Sequence, residues 1–397
     1  MSPSLAIPIN PAVLRWAREE SGFTVERVAG RLAVKEERVL AWEKGERQPT
    51  QRQFEELARF FRRPLGVFFL PRPPQLAPLA AEYRRLPGVT PGHEPPELRI
   101  ALRQMLTRRE HALNLMEELG ESVTPFTLRA NLGEPAAEVG ARLRAAVGVT
   151  LETQFGWRNE WRAWATWRTA VEDLGVFVFL FPGVGLEEAR GLAILRTPLP
   201  VVAINSKDVA EARAFTLFHE LVHVMLAAGN EEVPAIRERR SSREWTVVER
   251  FAEAAASHVL VPEETLRELV ASQLTGDATW ELNGVRKLAR QFRVTPLAMA
   301  TRLRESGFMT WSRYRAWRAA WDKYVAKLPP RRGGISTPVE KAINRAGRPF
   351  ASLVLEALAS NRITSVDAAR YLDLKFEHFE KLTTQLREGA VAMALDE

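Results

Sequence analysis

The chain has no cysteine among its 397 residues, so disulfides, cysteine-based zinc sites and cysteine nucleophiles are all excluded. It has no run of about 18 apolar residues, so no transmembrane helix is expected. Its start, MSPSLAIPINPAVLRWARE, lacks a charged region followed by a long apolar stretch. No secretory signal is therefore expected, and the chain reads as cytoplasmic with no membrane partner. Charge of one sign is not in large excess. There are 56 basic and 49 acidic residues, a net charge of +7, which permits a nucleic-acid partner without demanding one.

Proline is plentiful, and it is concentrated. Eight of the 27 residues from 71 to 97 are proline, which forbids a regular helix or central strand and predicts a linker or extended arm. Residues 1–70 before it read as short helices with stops at Gly22, Gly45 and Pro64. Residues 98–174 read as helices again. In that stretch Trp157, Trp161, Trp164 and Trp167 recur at helical spacing, which predicts a packed face. GVFVFLF (175–181), GLAILR (191–196) and PVVAIN (200–205) are apolar runs bounded by Gly or Pro and predict a small sheet. After the helix FTLFHELVHVMLAAG, residues 230–244 read as a polar loop, and a further helix is expected from near Val247 to about Leu260. Residues 284–305 have a helix-turn-helix rhythm. A basic aromatic helix at 310–327, a second linker at 328–338 and a last group of helices complete the chain. The expected fold is mainly α with a small α+β core. The expected divisions are 1–70, 71–97, 98–283, 284–327 and 328–397.

The helix at 215–226 is apolar all round, as a buried helix is, yet it contains His219, Glu220 and His223. Buried charges must be paired or bound to metal. Positions i and i+4 lie on one face of a helix, so His219 and His223 can offer two imidazole nitrogens to one point, as tetrahedral zinc requires. Glu220 stands about 100° around the helix from His219. It is placed beside the ion rather than on it, where it could take a proton from water as the catalytic base. A third ligand is offered downstream by Glu249 or Glu253, again i and i+4. Spacing alone leaves open which one ligates and which orients a histidine. The four tyrosines (positions 83, 314, 324 and 371) all lie outside 175–262, and His258 falls roughly opposite Glu249. No oxyanion donor is assigned.

The stretch PVVAINSKDVAEARAFTLFHELVHVML, followed by ERFAEAAASHVLVPEE, resembles the ImmA/IrrE family of zinc metallopeptidases. The resemblance implies a zincin-like domain with Zn2+ on His219, His223 and Glu249, leaving Glu253 beside the ligands. Three positions depart from the family pattern. Glu253 stands where Asn is usual, Ala255 where Phe is usual, and Val222 where Gly is usual. FTVERVAGRLAVKEERVLAWEKGERQPT resembles the XRE (Cro/C1-type) helix-turn-helix, and a five-helix module is implied. Its third helix begins Lys35, Glu36, Glu37, Arg38. Residues 1–72 hold 13 basic and 9 acidic side chains, which leaves a modest attraction to phosphate. Lys35, Arg38 and Lys44 are the candidate contacts to double-stranded DNA, the rival being protein docking or homodimerisation. The family resemblance implies limited cleavage of an XRE-type repressor in a stress or mobile-element response. The alternatives are a DNA-binding regulator whose peptidase fold is a sensor or inactive, and an antitoxin-type module.

Overall fold

The computed structural model describes residues 6–273, 280–329 and 336–394. Helix starts at the N-terminal end are set by capping side chains. α1 (Pro11–Glu20) begins on Asn10, α2 (Val25–Leu32) on Thr24, and α4 (Gln51–Phe61) on a Thr50–Gln53 capping box. α3 (Glu36–Glu43) follows Lys35, which makes no side-chain cap. A 3₁₀ turn at Leu65–Phe69 is the fifth element, and Leu14, Val28, Val39, Trp42, Leu57 and Phe61 form the module's core.

The long α5 (Pro96–Leu119) fastens this module to the rest of the chain. Arg103 donates to the Glu20 carboxylate, the Ser21 hydroxyl and the Phe61 carbonyl, while Arg99 donates to the Glu20 carbonyl at 2.8 Å. α6 (Ala136–Ala146), α7 (Leu151–Gly156) and α8 (Glu160–Glu172) lead into the sheet.

β1 (Phe177–Phe181), β2 (Gly191–Ile194) and β3 (Val201–Asn205) stand in the order β1-β3-β2. β1 runs parallel to β3 with Phe177 opposite Val201, and β2 runs antiparallel to β3 with Ala193 opposite Val202. Successive side chains of a strand point to opposite faces, and here both faces are covered. Val178, Leu180, Ala193, Val202 and Ile204 join the core around α9 (Ala210–Ala228) and α10 (Ser242–Leu260). Phe177, Phe179, Phe181, Leu192 and Val201 join a second core with α5 and the C-terminal helices.

α11 (Glu263–Gln273), α12 (Leu282–Phe292), α13 (Pro296–Glu305) and α14 (Trp311–Val325) follow. After them come α15 (Pro338–Ala346), α16 (Arg348–Ala359), α17 (Ser365–Leu372) and α18 (Phe379–Ala394). The fold is mainly α with a small α+β core, as expected from the sequence. α12 and α13 meet through Arg293 in the left-handed region (φ 54°) and pack into the core around α9 and α10. Residues 330–335, most of the second expected linker, lie outside the described residues.

Several elements differ from the sequence expectation. α10 starts at Ser242, five residues before Val247, because Ser241 and Glu244 form a capping box. The aromatic stripes are mixed rather than uniform. Trp157, Trp164, Trp167 and Trp317 are buried, Trp157 from a position before α8, but Trp161 is exposed beneath Arg213 and Trp311 is exposed beneath Arg304. The proline-rich stretch is ordered. It makes a short 3₁₀ turn at Leu79–Ala81 and pairs with two other segments through Tyr83–Ile194 and Arg84–Pro234 bridges.

Candidate active site

α9 crosses one face of the sheet and is buried along nearly its whole length. That burial fixes the rotation of the helix and sets the direction in which its polar side chains point. His219 Nε2 and His223 Nε2 are 3.2 Å apart. α10 packs alongside α9 and carries Glu249 to the same point. Glu249 Oε2 is 3.3 Å from His219 Nε2, and its Oε1 is 3.7 Å from His223 Nε2. One potential donor atom from each of His219, His223 and Glu249 lies within 4.8 Å of the others. A tetrahedral ion with bonds of about 2.0–2.2 Å holds its ligand atoms roughly 3.3 Å apart, so this spacing fits one metal ion. Between the two carboxylates that spacing left open, it is Glu249 that joins the histidines.

Glu232 holds His223 from behind. Its Oε2 lies 2.7 Å from His223 Nδ1, and both side chains are fully buried. Burial pushes the Glu232 carboxyl well above its usual range and the His223 imidazole well below its own. Nδ1 is engaged by this carboxyl, so Nε2 is the ring nitrogen that faces Glu249. The sequence expectation had given this supporting role to Glu253. Glu253 is instead exposed at the rim of the cleft, and burial of its carboxyl on the cleft side raises its pKa. Glu232 sits in the loop read as merely polar, and its sequence signal is weak: one glutamate among several.

Arg84 is the second residue that the sequence reading missed. It is 2% exposed and comes from the proline-rich stretch. Its Nε and one Nη grip Glu220 bidentately, at 2.8 Å to Oε2 and 2.9 Å to Oε1. The other Nη donates to Glu249 Oε1 at 2.9 Å and to the Arg85 carbonyl at 2.6 Å. Burial would raise the Glu220 carboxyl, but the Arg84 charge and hydrogen bonds outweigh it and hold Glu220 below the usual range. Glu249 is lowered in the same way.

Gly191 of β2 permits the close approach of sheet and helix. A Cβ there would stand 2.5 Å from Thr216 Cγ2 and 2.9 Å from Glu220 Cγ. Between β2, α9 and α10 a cleft of about 260 Å³ leads onto His219, Glu220 and Glu249, with Leu86, Pro87 and Phe215 in its walls.

Residues 171–304 match the IrrE N-terminal-like domain of a peptidase family. The chain carries a peptidase-family domain. Residues 14–68 match a helix-turn-helix domain, so both parts of the architecture expected from the sequence are present. No curated protein matches the chain.

Within the IrrE N-terminal-like domain, His258 is turned away from the cleft. Its ring nitrogens lie 2.8 and 3.1 Å from the two Nη atoms of Arg302. Tyr83 reaches the neighbourhood from the N-terminal side of the domain, but its hydroxyl donates to Glu94 at 2.5 Å. In the helix-turn-helix domain, Lys35, Arg38 and Lys44 are all exposed. Glu36 and Glu37 are exposed beside them, and Lys44 Nζ is 4.0 Å from Glu46. Among the described residues, no helix is long and apolar enough to cross a membrane.

Proposed function

We propose that the protein is a regulatory zinc endopeptidase whose substrate is an XRE-type repressor. The observation that carries this reading is the convergence of His219, His223 and Glu249 at the spacing of one ion, with Glu220 buried next to them. Zinc is the ion we propose, because two imidazoles and one carboxylate are a donor set suited to a catalytic zinc site. When bound it supplies Lewis acidity, which polarises a carbonyl and acidifies water.

The chain's own residues do the rest. Glu220 receives the proton of the attacking water and delivers it to the leaving amine. Glu232 keeps His223 in the tautomer that presents Nε2. The edge of β2 receives an extended peptide by main-chain hydrogen bonding, which brings the peptide over His219 and Glu220. The helix-turn-helix domain serves DNA binding or the docking of the repressor. The exposed Glu36 and Glu37 at the start of α3 weaken the attraction to a polyanion, which keeps docking as the rival of DNA binding.

The test is to incubate the zinc-loaded protein and its Glu220→Gln variant with the repressor encoded nearby, under several stress-mimicking conditions. Wild type should cut the repressor, and the variant should be slower by about 10²–10⁴-fold with zinc still bound. Equal survival of the repressor with both proteins in all conditions would sink the reading.

A further inference from the structure

The edge of β2 that a substrate would use is already taken by the chain itself. Tyr83 forms an antiparallel bridge with Ile194, and the Arg84 amide donates to the Ala193 carbonyl at 3.1 Å. The other side of the same segment is tied down as well. The Tyr83 carbonyl accepts from the Ala235 amide at 2.8 Å, and the Ala80 carbonyl accepts from Ile236 at 2.8 Å. From this strand-like position the Arg84 side chain runs into the centre and engages both oxygens of Glu220 and one of Glu249.

Each contact opposes a different requirement of hydrolysis. A general base must be free to take a proton, whereas Glu220 is held in a bidentate ion pair. Of the two Glu249 oxygens that could serve an ion, Oε1 accepts from the guanidinium instead. An incoming peptide needs the Ala193 carbonyl, which is satisfied by Arg84. The remaining cleft, at about 260 Å³, is just below the usual range of about 300–1,000 Å³ for a ligand pocket. Nor is the guanidinium disposed to assist a substrate. Its Nε and both Nη atoms are directed at Glu220, Glu249, the Arg85 carbonyl and, at 3.5 Å, His219 Nε2. An oxyanion donor must instead point its N–H groups at the reacting carbonyl.

We propose that the Tyr83–Arg85 segment is a built-in pseudosubstrate, which occupies the peptide-binding edge and locks Glu220 and Glu249 through Arg84 until it is displaced. The proposal rests on the peptidase reading for its consequence, but its physical content, competition of this segment with metal and with peptide, can be measured separately. Displacement breaks no covalent bond. It exchanges one strand and one cation for an incoming strand and a metal ion.

The experiment compares full-length wild type with Arg84→Ala and with Tyr83→Phe, the latter leaving every side chain at the metal point intact but removing the hydroxyl that anchors the segment to Glu94. Three quantities are measured: zinc affinity of the metal-freed protein against a chromophoric chelator, tryptic cleavage after Arg84 and Arg85, and hydrolysis of fluorescently labelled casein. Arg84→Ala should bind zinc about tenfold more tightly and hydrolyse casein about tenfold faster. Tyr83→Phe should move zinc affinity and hydrolysis the same way by less, with faster tryptic cleavage of its segment. If Arg84→Ala does not fold, Tyr83→Phe decides alone. Unchanged zinc affinity together with slower hydrolysis in both variants would overturn the proposal and make Arg84 a supporting group of the loaded centre. Tighter zinc binding without casein hydrolysis by any of the three proteins would uphold the segment's competition with the metal and count against the peptidase reading instead.

Discussion

His223 is the most constrained side chain of the centre, with 0% exposure and a partner on each side. Its Nδ1 is committed to Glu232, so Nε2 is left for the ion. Replacing that partner should be felt at the metal rather than in the fold. Glu232→Gln keeps the shape but removes the acid that faces Nδ1, so zinc affinity should drop about 10–100-fold. Competition with a chelator measures this, and an unchanged affinity would remove Glu232 from the centre. The histidines and Glu220 were legible in the sequence because i and i+4 on one helix is a local relation. Glu249 was legible as one of two residues on a second helix. Arg84 and Glu232 were not legible, since both come from irregular segments whose position is set by pairing with β2 and by the packing of α9, not by local periodicity.

Helix α9 is aimed by its neighbours, and β2 is one of them. The strand can lie against Thr216 and Glu220 only because residue 191 has no side chain. Gly191→Ala would need displacements of several tenths of an ångström at Thr216 and Glu220, the proposed base, since its Cβ would meet Thr216 Cγ2 at 2.5 Å and Glu220 Cγ at 2.9 Å. A shift of this kind at a catalytic base costs far more in rate than in stability. The expected outcome is hydrolysis reduced about 10²-fold with a melting temperature within a few degrees of wild type. Full activity in this variant would mean that Glu220 has room the packing does not suggest. The elements themselves were mostly readable. The strands came from apolar runs between Gly and Pro, and the helix-turn-helix module from short helices stopped at Gly22, Gly45 and Pro64. The start of α10 is encoded in the Ser241–Glu244 capping box, a signal that the polar residues around it obscure.

The assembled chain holds its helices together partly through buried polar groups, and these make stability depend on pH. His258 on α10 faces Arg302 on α13, with Glu263 of α11 paired to the same arginine at 3.0 Å. Burial first, and the Arg302 charge second, lower the His258 pKa to about 4. The folded chain therefore resists a proton that the unfolded chain takes up near pH 6.5. The stabilising contribution is complete above about pH 6.5 and is lost as pH falls towards about 4. Melting temperature should decline across that window in wild type and decline less in His258→Asn. Parallel curves for the two proteins would show that other groups set the slope. The same reasoning explains why this contact was invisible beforehand: His258 and Arg302 are 44 residues apart and meet only when α10 and α13 pack.

The phenylalanines of β1 have a consequence for how the protein can be divided. Phe177, Phe179 and Phe181 turn their rings away from α9 and are covered by α5, Phe350 and the other C-terminal helices. Residues 171–304, which carry the family match, contain neither cover. A fragment cut at those limits would present a sheet of bare aromatic rings to water and to other copies of itself. The stretch by which the protein is recognised is thus shorter than the stretch it needs in order to stay in solution.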